Sequence, residues 1–265
     1  MSSTEPVSLI TGASAGIGAA LARVFAQNGH RLVLTARREA QLTALADEIA
    51  AAGQPRPDVI VADVSTADGR TGLAEALAAA GIEPAYVVNS AGFGLLGPAT
   101  RLSAERQLEM IDLNTRALTD LSLRFLDSVT RQKGGILNVA SIAGFMPGPG
   151  MAVYHATKAY VVSFTEALHS ELKGDGVRVC ALCPGPVATA FFEVAGVPHD
   201  YFPGYLSRSA ERVAREGYAG FMGGHRVVVP GRSNRMLTLL PRLLPRGATM
   251  AVMQRRWVKV RRRGG

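Results

Sequence analysis

The sequence predicts an α/β fold in which one domain is built on a doubly wound parallel sheet. Short apolar runs rich in Val, Ile and Leu recur along the chain, and longer Ala-rich segments with helical spacing lie between them. Such runs are typical of strands that are buried on both faces. Because strands joined by helices must pair in parallel, the pattern indicates one parallel sheet with helices on both sides.

The predicted strands and helices alternate over most of the chain. Helices are expected at residues 19–29, 40–53 and 209–222, and the first two end at a glycine, which suits a helix C-terminus. The strands are predicted at residues 7–11, 31–35, 58–62, 85–89, 135–140, 177–183 and 225–231. These elements predict one domain over residues 5–231, followed by an extension over residues 232–265.

The net charge of +8 is concentrated at the C-terminus. Residues 225–265 contain 11 of the 29 Lys and Arg residues and no Asp or Glu, which leaves 18 basic and 21 acidic residues in the rest of the chain. Within this basic extension, apolar residues alternate with arginines, and Pro241 and Pro245 disfavour a continuous helix. Short amphipathic pieces therefore either pack on the protein or a partner subunit, or lie on an anionic membrane. Nucleic-acid binding is not expected, because Trp257 is the one aromatic residue of the extension.

Composition also bears on compartment and metal content. The N-terminus lacks a basic start followed by an apolar run, and no apolar stretch reaches the length of a spanning helix, so a cytoplasmic location is expected. Cys180 and Cys183 are too few for a disulfide framework, and residues three apart on a strand point to opposite faces. No metal site is predicted.

A glycine-rich turn follows the first predicted strand. In "TGASAGIG", residues 11–18, the glycines at positions 12, 16 and 18 allow a tight turn and a close approach of the backbone to a phosphate. A phosphate placed there meets the N-terminus of the next helix, whose dipole favours negative charge. A tight turn without a ligand is the alternative for this motif alone.

Tyr154 and Lys158 stand four residues apart in the stretch "YHATK". On a helix this spacing places both side chains on one face, so that the ammonium lies near the phenol. A neighbouring cation lowers the pKa of a phenol by favouring the phenolate. The pair is therefore expected to exchange a proton near neutral pH.

Seven ordered motifs resemble the short-chain dehydrogenase/reductase family over nearly all of residues 5–231. They are "TGASAGIG" from residue 11, "DV" at 63–64, "NSAG" at 89–92, "LN" at 113–114, "VASIAG" at 139–144, "YHATK" from residue 154 and "PGPVAT" at 184–189. The resemblance implies a Rossmann-type fold, a nicotinamide cofactor, a small carbonyl or alcohol substrate, and a homodimer or homotetramer.

The resemblance also implies roles for individual residues. Ser141 is expected to hydrogen-bond the substrate oxygen, Tyr154 to transfer the proton, Lys158 to hold the nicotinamide ribose, and Asn114 to anchor a water molecule in a proton relay. Ser90 departs from the family's usual asparagine, so its contact would use the backbone. Cofactor contacts are expected at Gly12, Ala13, Ser14, Gly16, Ile17, Gly18, Asp63, Val64, Asn89, Ser90, Ala91, Gly92, Tyr154, Lys158, Pro184, Gly185, Val187 and Thr189.

The end of the second strand indicates which cofactor is used. A carboxylate there binds the ribose 2′-hydroxyl of NAD, whereas a cation accommodates the 2′-phosphate of NADP. The sequence "LTARR" places Arg37 and Arg38 at this point, and the first carboxylate is Glu39. NADP(H) is therefore predicted, with Arg37 as the contact. Alternatively, the arginines begin a solvated helix.

Residues 190–206 occupy the family's usual substrate-covering region. They contain three Phe, two Tyr, two Pro and internal glycines, a composition that suits a mobile apolar lid. The sequence therefore predicts an NADP(H)-dependent reductase or dehydrogenase that interconverts a lipophilic ketone and a secondary alcohol. A packed loop without selectivity is the alternative for this segment. For the whole chain, the alternative is a non-catalytic NADP-binding protein or a nucleic-acid-binding protein that uses its basic extension.

Overall fold

The computed structural model describes residues 6–198, 203–243 and 245–261, and it confirms the predicted doubly wound parallel sheet. The observed strand boundaries lie within a few residues of the predicted ones. The strands are β1 (Val7–Thr11), β2 (Arg31–Ala36), β3 (Asp58–Val61), β4 (Tyr86–Asn89), β5 (Gly135–Val139), β6 (Arg178–Leu182) and β7 (Val227–Val228).

Helices cover both faces of this sheet. They are α1 (Gly16–Gln27), α2 (Glu39–Ala51), α3 (Ala67–Ala79), α4 (Ala104–Ile111), α5 (Leu118–Arg124), α6 (Leu126–Arg131), α7 (Ala152–Leu172), α8 (Ala190–Ala195), α9 (Ala210–Met222), α10 (Arg232–Leu243) and α11 (Arg246–Arg261). Helices α8, α10 and α11 line a cavity outside the carboxyl ends of the strands. A π-helical turn, Asp112–Ala117, joins α4 to α5. None of the helices in the described part of the chain combines the length and apolar character needed to cross a bilayer.

The strand order places a crevice between β1 and β4. The order across the sheet is β3-β2-β1-β4-β5-β6-β7, so the chain reverses its direction of growth between these two strands. The Thr11 hydroxyl at the end of β1 accepts hydrogen bonds from the backbone N–H groups of Ser90, at 3.0 Å, and Ala91, at 3.2 Å, just beyond β4. Open α/β sheets bind ligands at this reversal point, outside the carboxyl ends of the strands.

The core has one apolar layer on each side of the sheet. Leu9 and Ile10 are adjacent on β1, are fully buried, and belong to opposite layers. Cys180 and Cys183 are buried in separate apolar clusters, as the alternation along an extended chain predicts. Burial on both faces holds the strand ends, and therefore the crevice, in a fixed position.

The start of the basic extension packs on the body of the protein. Pro241 is accommodated near the end of α10, and the chain forms a new helix only after Pro245. Asn234 on α10 is fully buried and donates hydrogen bonds to the carbonyl oxygens of Leu206, at 3.1 Å, and Pro230, at 3.0 Å. These contacts join α10 to the segment that covers the crevice.

Candidate active site

A cavity of about 1000 Å³ lies at the carboxyl ends of the strands. Its walls come from the glycine-rich turn after β1, the end of β2, the loop after β4, the loop after β5, the face of α7 and the loop after β6. Helices α8, α10 and α11 complete it. The volume is at the upper end of the range that is common for ligand sites.

The glycine-rich turn is closely packed against neighbouring backbone. Gly12 has a φ of +66°, and a Cβ atom there would lie 2.8 Å from the Cα atom of Ala91. A Cβ atom at Gly18 would lie 2.3 Å from the carbonyl oxygen of Gly12. At the N-terminus of α1 the cap residue, Ala15, makes no side-chain hydrogen bond, and the first turn has no acidic residue. The helix N–H groups are therefore available to an anion such as a dinucleotide pyrophosphate.

The end of β2 presents two arginines to the cavity. Arg38 donates hydrogen bonds from Nη2 to the Ser14 hydroxyl, at 3.0 Å, and to the Ser14 carbonyl oxygen, at 3.4 Å. Arg37 is largely exposed and lies 3.9 Å from a carboxylate oxygen of Asp63. Both arginines line the cavity, whereas the sequence predicts only Arg37 as a cofactor contact. Their positive charge fits a phosphate at this edge better than an uncharged ribose hydroxyl.

Ser141, Tyr154 and Lys158 line the cavity at the carboxyl end of β5. Ser141 caps the 3₁₀ turn Ile142–Phe145, and its hydroxyl accepts a hydrogen bond from the Ala143 N–H at 3.1 Å. Tyr154 and Lys158 lie one turn apart on α7, as predicted. The Lys158 ammonium donates a hydrogen bond of 2.8 Å to the carbonyl oxygen of Val139, the last residue of β5. This bond ties α7 to the end of the strand.

Burial determines the protonation of the pair. It raises the pKa of Tyr154 to about 12, although a hydrogen bond with Ser141 acts in the opposite direction. Burial also lowers the pKa of Lys158 to about 8. The expectation of a lowered tyrosine pKa is therefore wrong for the protein by itself, because the cost of burying a phenolate is the largest effect on this group. At neutral pH the phenol retains its proton.

Asn114 lies behind the cavity wall, in the π-helical turn. Its side-chain amide donates hydrogen bonds to the Phe93 carbonyl oxygen, at 2.9 Å, and to the Thr157 hydroxyl, at 3.2 Å. Its carbonyl oxygen accepts from the Phe93 N–H at 3.1 Å. Asn114 therefore joins the loop after β4 to α7, and it does not line the cavity in this structure.

The structure brings most of the other predicted residues together. Those that line the cavity are Gly12, Ser14, Gly16, Ile17, Gly18, Arg37, Asp63, Val64, Ser90, Ala91, Gly92, Ser141, Tyr154, Lys158, Pro184, Gly185, Val187 and Thr189. Two lie behind the wall. Ala13 is fully buried, and Asn89 donates hydrogen bonds to Asn138, at 2.9 Å, and Ser122, at 3.0 Å. The contribution of Asn89 is to hold β4 against β5.

Apolar side chains line the cavity beside Tyr154. The Phe191 ring on α8 lies 5.4 Å from the Tyr154 ring, measured between centroids. Further apolar lining comes from Phe192, Val194, Val197 and Leu206, all within the predicted lid segment. Residues 199–202 of that segment lie outside the described residues.

Several lining residues were not identified from the sequence. His155 hydrogen-bonds the Met146 carbonyl oxygen through Nδ1, at 2.7 Å, and so holds the loop that follows Ser141. The other unexpected lining residues include Phe93, Arg106, Met151, Leu237, Pro241, Thr249, Val252 and Met253. Its position directly after Tyr154 is a weak indication that His155 lies at the site. The residues after 232 carry no motif that indicates a site.

The described part of the chain contains no candidate metal site. There, no group of three or more His, Cys, Asp or Glu side chains is arranged to hold a metal ion.

The chain is similar to known proteins in both sequence and fold. The family described as short chain dehydrogenase matches residues 6–196. A curated relative, the NADP-dependent 3-hydroxy acid dehydrogenase of Salmonella typhi, is 38% identical over 192 residues, which cover 69% of this chain and 73% of the relative.

Two solved structures share this fold over most of the chain. The short-chain dehydrogenase from Sphingobium yanoikuyae, solved in complex with NADPH, superposes with a TM-score of 0.79 at 31% identity, covering 94% of this chain and 95% of the other. The bulky-bulky ketone specific alcohol dehydrogenase from Comamonas testosteroni gives a TM-score of 0.75 at 29% identity, covering 87% of this chain and 90% of the other.

Proposed function

The chain belongs to the short-chain dehydrogenase/reductase family, and from this premise we propose that it is an NADP(H)-dependent carbonyl reductase or alcohol dehydrogenase. Family membership makes it an oxidoreductase with a nicotinamide cofactor. The observation that carries the proposal is the convergence of Ser141, Tyr154 and Lys158 on one cavity, opposite the glycine-rich turn.

The cavity residues fit a phosphorylated dinucleotide. The uncapped N-terminus of α1 and the tight Gly12 turn would hold the pyrophosphate, and Arg37 and Arg38 would hold a 2′-phosphate. Support for NADP(H) over NAD(H) comes from the two arginines and from the names of two relatives, one NADP-dependent and one bound to NADPH.

In the reducing direction, a bound nicotinamide supplies a hydride to the carbonyl carbon of the substrate. Tyr154 donates its proton to the carbonyl oxygen, and Ser141 donates a hydrogen bond to the same oxygen as negative charge develops. The carbonyl thus gains one hydride and one proton and becomes a secondary alcohol. Lys158 stabilises the phenolate left on Tyr154, which then regains a proton from solvent.

The substrate is proposed to be lipophilic. Phe191, Phe192 and Leu206 line the substrate end of the cavity, and Arg106, which also lines it, is already paired with Glu109. The described preference of the Comamonas testosteroni enzyme for bulky ketones supports this proposal. The 3-hydroxy acid substrate of the Salmonella typhi relative is the charged alternative.

We further propose a homodimer or homotetramer. Large apolar side chains are exposed on α4, α5 and α7, which all pack against the π-helical turn, namely Leu108 and Ile111 on α4, Leu123 on α5 and Tyr160 on α7. Contact between copies would remove this apolar surface from water. Light scattering coupled to size-exclusion chromatography tests this, and a monomer at micromolar concentration contradicts it.

A peripheral contact with anionic membrane is proposed for the outer face of α10. On this face Arg232 and Arg235 are exposed, and so are Met236 and Leu239, at the three- and four-residue spacing of a single helix face. Basic and apolar side chains that share one face suit the headgroup region of an anionic bilayer. A lipophilic substrate would be concentrated in the same place.

The activity is tested by following NADPH absorbance with ketones and 3-oxoacyl thioesters of graded chain length, with NADH in parallel. A 3-hydroxy acid with NADP⁺ tests the charged alternative. We expect turnover of apolar ketones with NADPH in preference to NADH. If NADPH binds but no compound in the panel is turned over, the non-catalytic alternative is favoured. Salt-sensitive, sequence-dependent retention on DNA would favour the nucleic-acid-binding alternative.

A further inference from the structure

The C-terminal helices supply part of the cavity wall. Leu237 and Pro241 on α10 and Thr249, Val252 and Met253 on α11 line the same cavity as Tyr154 and Ser141. These residues lie beyond residues 6–196, the part matched by the family. The family's shared motifs therefore do not account for this wall.

The position of α10 places this wall at the substrate end. α10 packs against the turn Ile142–Phe145, which directly follows Ser141, and against Gly204–Leu206 in the segment that covers the cavity. The buried Asn234 fixes this arrangement, because its amide donates to the Leu206 carbonyl oxygen. α11 begins five residues after Pro241, and its residues Thr249, Val252 and Met253 line the same cavity.

One face of α11 is directed inwards. Thr249 is only 8% exposed, and Met253, one turn further along, is half-buried. Met250, which lies on another face of the helix, is 38% exposed and does not line the cavity. Val252 lines the cavity while remaining 54% exposed, which places it at the mouth. The difference in exposure therefore places Met253 on the cavity face of α11 and Met250 on its outer face.

Apart from the buried hydroxyl of Thr249, the side chains of this wall are apolar. Leu237, Pro241, Val252 and Met253 carry no charge and only weakly polar atoms, and they complete a chamber whose other lining includes Phe191 and Phe192. Methionine is unbranched and polarisable, so Met253 can adapt to substituents of different shape. A charged substituent would lose its hydration here without gaining a partner from these side chains.

From these observations we infer that α11 is a specificity element, in which Val252 and Met253 select ketones by the length of the apolar substituent directed towards the helix. The inference rests on the proposed function and deepens it. The substrate class is a ketone with one extended alkyl or aryl substituent. Tyr154 and Ser141 hold the carbonyl, and the substituent lies along α11.

The test compares Met253→Trp with Met250→Trp, a matched substitution on the outward face of the same helix. Purified full-length proteins are assayed with NADPH and a series of methyl ketones from butanone to methyl nonyl ketone. For Met253→Trp we expect kcat/KM for the longest ketone to fall about tenfold or more, while butanone changes less than about twofold. Met250→Trp should match the wild type throughout. The affinity for NADPH should be the same in all three proteins.

Met253→Ala provides a second variant of opposite effect, since it enlarges the chamber and should raise the relative kcat/KM for the most bulky ketones. The inference is overturned if Met253→Trp affects short and long ketones equally, or if Met250→Trp gives the same pattern.

A second experiment measures binding without turnover. Calorimetry gives the affinity of NADPH-loaded wild type and Met253 variants for each ketone of the series. Binding without turnover contradicts the proposed function alone, whereas binding that ignores Met253 contradicts the inference alone. If no ketone binds, both are overturned.

Discussion

The ammonium of Lys158 lies 5.9 Å from the centroid of the Tyr154 ring and donates a hydrogen bond to the carbonyl oxygen of Val139. The two side chains are one helical turn apart on α7, and the hydrogen bond fixes that turn to the end of β5. The pair is therefore held against the sheet, and its protonation is governed by burial.

Tyr154→Phe should abolish most of the turnover. The substitution removes the proton donor and keeps the ring that packs near Phe191. We expect kcat to fall by about 10²–10⁴, the usual contribution of a general acid, with the affinity for NADPH retained. Steady-state kinetics and NADPH fluorescence titration measure the two quantities. Turnover close to that of the wild type would refute the role of Tyr154.

The kcat/KM for NADPH should depend on pH through the ionisation of Lys158. Its pKa is lowered to about 8, so the ammonium is present below this pH and is lost as the pH rises through it. Tyr154, with a pKa raised to about 12, stays protonated over the same range. We expect kcat/KM for NADPH, which reports groups of the free enzyme, to fall above about pH 8. In Lys158→Met, kcat/KM for NADPH should be low at every pH. A wild-type profile that is flat to about pH 10 would contradict the assignment of the pH dependence to Lys158.

Arg37→Asp should reverse part of the cofactor preference. A 2′-phosphate would lose a charge-assisted partner and meet a like charge, so we expect the Kd for NADPH to rise about tenfold or more, while NADH is spared or improved. Arg56→Asp is the matched control, because Arg56 is paired with Asp47 and does not line the cavity. A wild type that already prefers NADH would show that the arginines do not select the cofactor.

His30 should make the fold sensitive to acid. It is buried, with one ring nitrogen 2.8 Å from the Ser8 hydroxyl and the other 3.0 Å from the Tyr218 hydroxyl. Burial lowers its pKa from 6.5 to about 4. Between these values the unfolded chain binds more protons than the folded protein, so stability falls as the pH falls from about 6.5 to about 4.

The expected loss is about 1–3 kcal/mol of unfolding free energy. Urea unfolding of wild type and His30→Gln on both sides of this pH range measures it. The glutamine variant should start from a lower stability at neutral pH and lose less on acidification. Equal losses in both proteins would assign the acid sensitivity to other groups.

The outer face of α10 should bind anionic vesicles. At low ionic strength we expect the full-length protein to co-sediment with anionic vesicles, and to do so less with neutral vesicles or at high salt. Arg232→Glu with Arg235→Glu should weaken the partition about tenfold or more, since each basic residue near the surface contributes about 1 kcal/mol. Protein that stays in the supernatant with anionic vesicles at low salt rules out the membrane contact.

The parallel sheet, the glycine-rich turn and the Tyr154–Lys158 pair can all be predicted from the amino-acid sequence. Each depends on residue types and spacings over short stretches of the chain. Apolar runs separated by helices require parallel pairing, a glycine permits a φ of +66° at position 12, and a spacing of four on a helix places two side chains on one face. These features need no knowledge of distant parts of the chain.

Four features could not be predicted and depend on how the chain packs. They are the contact between Arg38 and Ser14, the partners of Asn114, the raised pKa of Tyr154 and the wall that includes Val252 and Met253. Arg38 and Ser14 meet because β1 and β2 pair in register. The phenol keeps its proton because tertiary packing around it, including the ring of Phe191, desolvates it. The C-terminal helices reach the cavity because a buried asparagine anchors α10 beside it. Burial and long-range contact are properties of the packed chain, so no local pattern in the sequence specifies them.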